Sequence, residues 1–175
     1  TLREELREAI SVDDAPTVLR YRKGALPEPM PALRRVGDVD VLLDEEVAPC
    51  RARVLIVGTG ACVPDAITAA RRLIDDGISV TVVDPRWLVP ISPDLASLAL
   101  GFDAVIAVED GIVQGGFGWA LRDSLFDADI PVRCLGVPQV LPEHGDRSEM
   151  IRNFGYDADG IEAAVRTQVE RLVRC

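Results

Sequence analysis

Histidine is almost missing from this sequence: 175 residues contain one, His144. The four cysteines, Cys50, Cys62, Cys134 and Cys175, lie far apart and form no Cys-x-x-Cys pair. A zinc centre needs a local cluster of thiolate and imidazole ligands, so none is expected. The thiols read as reduced cysteines of a cytoplasmic protein, with a secreted disulfide pair as the lesser alternative. Positive charge is scarce too, with 19 Lys and Arg against 29 Asp and Glu and a net charge of −10. A phosphate-backbone footprint requires clustered cations, which argues against a nucleic-acid partner. No apolar run approaches the ~20 residues that span a bilayer, which argues against a membrane partner. Aromatics contribute only 5%.

What the sequence does have is aliphatic bulk: 48% hydrophobic against 27% charged residues. That balance belongs to globular domains and not to disordered chains. A domain of this length buries about 70% of the surface its unfolded chain exposes, so it needs neither metal nor disulfide. One domain fits, with room for a fragment of a second.

The fragment comes first. Leu2, Leu6, Ala9 and Ile10 share one face of a predicted helix over 1–10. Asp13-Asp14-Ala15-Pro16 turns the chain into a β-rich run over 17–21. Such a helix-turn-strand is too small to bury its own apolar side. A connector over 25–36 follows, with Pro27, Pro29 and Pro31 fixing φ and removing amide donors. From residue 37 the pattern changes. Residues 39–43 read as a short strand at the edge of a sheet or outside it. Beyond them, apolar runs at 53–57, 78–83, 104–108 and 132–135 alternate with helical patterns at 63–76, 93–100, 118–126, 147–154 and 159–173. Near-continuous aliphatic strands joined by helices indicate a mostly parallel sheet covered on both faces. The predicted fold is therefore α/β, a three-layer α/β/α domain with about five strands.

Four stretches could carry chemistry. Gly58-Thr59-Gly60 sits between a strand and a helix, where backbone amides can hold an anion. A dinucleotide fingerprint would need a third small residue, and Val63 stands there. A tight β-to-α turn is the plainer reading, and a free-standing nucleotide-binding oxidoreductase domain is the alternative function. Glu109 and Asp110, at a strand's carboxyl end, precede the glycine cluster Gly115-Gly116-Phe117-Gly118. They sit where open α/β sheets place ligands, although the glycines could instead permit tight packing against a neighbouring domain or subunit. Pro142-Glu143-His144-Gly145-Asp146-Arg147-Ser148 combines a proton carrier with a helix cap, and the cap is the stronger reading. Arg20-Tyr21-Arg22-Lys23-Gly24 concentrates cations at a predicted strand end, as a phosphate clamp or as solvated charge.

Taken in order, Arg20-Tyr21-Arg22-Lys23-Gly24, Val83-Asp84-Pro85-Arg86-Trp87-Leu88-Val89-Pro90, Val108-Glu109-Asp110-Gly111, Gly115-Gly116-Phe117-Gly118 and Leu135-Gly136-Val137-Pro138 form a series. It resembles the carboxyl-terminal part of the 1-deoxy-D-xylulose-5-phosphate synthases, transketolase-like enzymes dependent on thiamine diphosphate. The Asp-Pro-Arg-Trp form is similar to actinobacterial members. Other transketolase-type carboxyl-terminal domains are the fallback.

The resemblance implies that residues 1–24 end a pyrimidine-binding domain, 25–36 link, and 37–175 form a transketolase carboxyl-terminal-like domain. It implies thiamine diphosphate and magnesium in the whole enzyme. The family's Gly-Asp-Gly metal motif does not occur here, so no cofactor or metal is expected on this chain. Nor is a catalytic residue expected. The expected partners are the diphosphate-binding and pyrimidine domains of the same synthase, with assembly as a homodimer. A regulatory chain pairing with a separate catalytic chain is a further alternative. The resemblance also implies that Lys23 takes the place of the family's phosphate-holding Arg, with Arg20 at the motif's first Arg and Arg22 in place of a Pro. Lys keeps the charge and loses the bidentate fork.

Overall fold

A computed structural model of the chain describes residues 2–22 and 28–174. The chain folds as two units, residues 1–31 and 32–175. In the first, helix α1 spans Leu2–Ser11 and buries none of its residues. Its apolar side chains Leu2, Leu6 and Ile10 are 38%, 47% and 74% exposed, as expected of a helix with no layer of its own. The predicted strand over 17–21 does not form: none of those residues is in a strand. A β-rich run becomes a strand only when a neighbour takes its hydrogen bonds. Lys23 and Gly24 lie outside the described residues.

The second unit is built on a six-stranded sheet. Its strands are β1 (Arg34–Val36), β2 (Val39–Glu45), β3 (Arg53–Gly58), β4 (Ser79–Asp84), β5 (Ala104–Ile112) and β6 (Val132–Val137), in the order β1-β2-β4-β3-β5-β6. The four carboxyl-terminal strands run parallel, β3 pairing with both β4 and β5, and β5 with β6. Strands β1 and β2 are antiparallel additions.

The first two strands correct the sequence reading. Residues 34–36 were expected in the connector, yet they pair with 39–41 through a turn at Gly37, whose φ is +57°. Strand β2 is therefore neither at the edge nor outside, and Val39 and Val41 are completely buried. A hairpin partner three residues long carries too little pattern to be read from sequence.

Helices α2 (Val63–Asp75), α3 (Pro93–Ala99), α4 (Phe117–Ser124), α5 (Arg147–Asn153) and α6 (Ala158–Arg174) cover the sheet. The strand period of two sorts the core into two layers. Val54, Ile56, Val80, Val82, Ile106 and Val108 face α2, α5 and α6, packing on Ala66, Leu73, Ile151 and Ile161. Leu55, Val57, Val83, Val105 and Ala107 point the other way, onto Leu95 of α3 and Phe117 and Leu121 of α4. Right-handed crossovers in opposite directions from β3 and β5 put their carboxyl ends side by side at the switch point, where open α/β sheets place sites.

Candidate functional site

Within the second unit, three candidate stretches meet at that switch point. The amide of Thr59, after β3, donates to the carbonyl of Val108 midway along β5 (3.0 Å). Arg147, at the start of α5, donates from its guanidinium to Asp110 Oδ2 (2.9 Å). The hydroxyl of Tyr156 donates to Asp110 Oδ1 (3.3 Å), so one carboxylate ties two segments to the end of β5.

Burial and charge act together here. Burial, reinforced by the charge of Asp110, pushes the Cys62 thiol up to about 12. The same two causes, and the hydrogen bond to Asp110, push the Tyr156 phenol up to about 12. Burial pulls the Arg147 guanidinium down, but its hydrogen bond and charge contact with Asp110 outweigh that and raise it. Asp65 is raised by burial and by the neighbouring charge of Asp157. Cys62 is thus a protonated, buried thiol and no nucleophile.

Glu109 has another task. It is 7% exposed, and its two carboxylate oxygens accept from the amides of Phe117 (2.9 Å) and Gly118 (3.0 Å). Those amides open α4, whose first N–H groups have no partner within the helix. A carboxylate at the positive end of the helix satisfies them and complements the dipole. The glycine cluster follows from this closeness: a Cβ on Gly116 would stand 2.3 Å from Glu109 Oε2 and 2.5 Å from the Ile112 carbonyl. Within the chain, Gly116 thus makes room for the Glu109 carboxylate.

His144 is exposed in the segment between β6 and α5. Two residues on, Asp146 caps α5, accepting from the hydroxyl (2.5 Å) and the amide (2.8 Å) of Ser148, which in that order hold its carboxyl below the usual range. Arg20 is exposed in the first unit, as are Tyr21 and Arg22. At Gly58-Thr59-Gly60, Val63 is buried and a Cβ on Gly58 would stand 3.3 Å from its Cα, the geometry of a tight turn.

Sequence reasoning passed over Cys62, Tyr156 and the Arg86 pair. Arg86 adopts a left-handed φ of 58°, with its Nε 3.7 Å from Asp40 Oδ2 and both side chains almost fully buried. Asp40 also accepts from Arg35 (2.6 Å). The one available signal was a charged residue, Asp40, standing inside an apolar strand.

Among the described residues, no three His, Cys, Asp or Glu side chains group so as to hold a metal ion. The amides opening α4 already hold Glu109. No helix among the described residues is long and apolar enough to cross a membrane.

Residues 46–161 match the family described as transketolase, C-terminal domain. The chain belongs to that family. It is 47% identical over 169 residues to the 1-deoxy-D-xylulose-5-phosphate synthase of Corynebacterium glutamicum strain R, covering 94% of this chain and 27% of that protein. To the synthase of Mycobacterium avium strain 104 it is 46% identical over 177 residues, covering 98% and 28%. The chain thus spans little more than a quarter of the length of these transketolase-type relatives. Among solved structures it is similar to a split-gene transketolase recorded as an inactive β4 tetramer, at 31% identity and a TM-score of 0.67 over 78% of this chain and 44% of that one. A transketolase mutant from Pichia stipitis shares the fold at 18% identity and a TM-score of 0.55, covering 76% of this chain and 18% of that one.

Proposed function

We propose that this chain is the carboxyl-terminal part of a 1-deoxy-D-xylulose-5-phosphate synthase. The whole enzyme is a cytoplasmic transferase that decarboxylates pyruvate and joins its two-carbon unit to glyceraldehyde 3-phosphate, at the entry to isoprenoid synthesis. The observation that carries this reading is identity of 44–47% to actinobacterial synthases over nine-tenths of the chain. Thiamine diphosphate supplies the carbanion chemistry when bound, in domains other than this one.

In this reading residues 1–24 end the pyrimidine-binding domain and the exposed apolar side of α1 packs on the rest of it. Residues from about 37 onward form the third domain, a structural and interface module with no catalytic group. Lys23 and Arg20 hold the phosphate of glyceraldehyde 3-phosphate. The chain also associates with itself, as the split-gene relative does in its β4 tetramer.

Two measurements test the proposal. Replacing the matching last quarter of the Corynebacterium synthase with this chain should give an enzyme that forms 1-deoxyxylulose 5-phosphate. A folded but inactive chimaera would sink the assignment. Calorimetry of the isolated chain with thiamine diphosphate and magnesium should show no binding, and micromolar affinity would overturn the division of labour.

A further inference from the structure

The two edges of the sheet are built differently. Strand β1 is three residues long, and both of its arginines are paired back onto β2: Arg34 with Asp44 and Arg35 with Asp40, each at 2.6 Å. Short, charged edges resist pairing with another chain. Strand β6, at the opposite edge, has six residues and a single charge, Arg133. Among the described residues, no strand lies beyond its outer row of amides and carbonyls.

One surface groove borders β6, and another lies along α4 on the opposite face of the sheet. On the α6 face, a groove of about 390 Å³ runs between Arg133 and Leu135 of the strand and Ala163, Ala164 and Thr167 of the helix. On the α4 face, a groove of about 740 Å³ runs along the helix from Gly115 past Trp119 to Phe126. Trp119 is 40% exposed under the Arg122 guanidinium, which lies 4.8 Å from its ring. Phe126 is 83% exposed, a bare aromatic ring on a protein otherwise poor in them. Two exposed aromatic rings along one helix, with a charged residue of each sign between them, offer a partner a mixed apolar and polar surface.

We infer that the β6 edge, with Trp119 and Phe126 beside it, is where a second copy of this chain docks by antiparallel pairing of the two β6 strands. The inference rests on the self-association proposed above and names its surface. A twofold interface must carry both complementary features on one patch. This one does: Phe126 follows α4 in the turn that leads to β6, and the Gly115–Gly116 hollow of the same groove lies at the other end of the helix. Turning one strand antiparallel to the other sets each Phe126 toward the hollow of its partner. The pairing extends both six-stranded sheets into one, satisfying the outward row of backbone groups. Arg122 and Asp123 both line the groove, so the patch supplies both signs of charge to its own copy.

Sedimentation velocity on the full 175-residue chain over a range of concentrations decides it. The unaltered chain should dimerise. Phe126→Asp and Trp119→Asp should each weaken the dimer by about tenfold to a hundredfold, as truncated aromatic anchors do. Leu33→Asp, beside the opposite edge, should leave it intact. Circular dichroism establishes that each variant is folded. As a second readout, β6 amide exchange in the unaltered chain should slow as concentration rises. Dimers that survive both aromatic substitutions with β6 exchange independent of concentration would overturn the surface and leave self-association standing. A chain monomeric at every concentration would overturn self-association itself, and the β6 face would then belong to another part of the synthase.

Discussion

Asp110 accepts from the Arg147 guanidinium at 2.9 Å, joining the end of β5 to the first turn of α5. The pair lies thirty-seven residues apart in sequence, and with the Tyr156 hydroxyl on the other carboxylate oxygen it occupies the switch point of the sheet. Side-chain exposures of 36% and 31% put it at the boundary between a surface ion pair and a buried one. Arg147→Gln should therefore cost about 1 kcal/mol of stability. It should also speed amide exchange through the segment between β6 and α5. Unchanged exchange there would mean that the contact fastens nothing.

Glu109 should matter more than Asp110, because it is buried and serves two amides. Glu109→Ala leaves the amides of Phe117 and Gly118 without their acceptor and should cost about 2–4 kcal/mol. Glu109→Gln keeps one carbonyl oxygen but turns an NH₂ toward a donor, and should cost about 2 kcal/mol. Urea midpoints order the three proteins. A Gln variant as stable as the original would remove the charge from the argument.

Alkaline pH should unfold the protein early. Cys62 and Tyr156 ordinarily titrate at 9.0 and 10.0, and burial pushes both up to about 12. Between those values the unfolded chain has released protons that the folded chain still holds. Stability is therefore fully present below pH 9, declines as pH rises above it, and is lost as pH passes through about 12. Urea titrations at a series of pH values should show that decline, with a shallower slope in Cys62→Ala. A flat profile would show that these groups are not shielded.

Asp40 stands under two guanidinium groups, and Arg86 is held beside it with a left-handed backbone. Such a conformation in a residue with a side chain persists where surrounding contacts over-determine it. Asp40→Asn removes the countercharge from a buried arginine and should cost about 3 kcal/mol, read from urea unfolding. An unshifted midpoint would show that Arg86 is held by its other contacts.

The fifth prediction concerns substrate. In the whole synthase Lys23→Ala should raise the KM for glyceraldehyde 3-phosphate by roughly 10- to 150-fold, the loss of one charge-assisted phosphate contact. The KM for pyruvate should barely move, since pyruvate has no phosphate. Lys23→Arg should be tolerated. An unchanged aldehyde KM would take Lys23 out of the site and leave Arg22 to be tested.

The amino-acid sequence by itself determined the layered α/β core. The runs at 53–57, 78–83, 104–108 and 132–135 are apolar enough to be buried on both faces, and Asp146 marks a helix start by local chemistry alone. These are short-range properties: a strand's periodicity and a helix cap depend on residues within a few positions. Only tertiary structure decided the rest. The residues of 17–21 have strand composition and no strand partner, whereas 34–36 have almost no pattern and gain one across a glycine turn. Glu109 and Asp110 are adjacent and indistinguishable as a sequence. One faces the amides of α4 and the other faces Arg147 and Tyr156, because successive side chains of a strand point to opposite faces of the sheet.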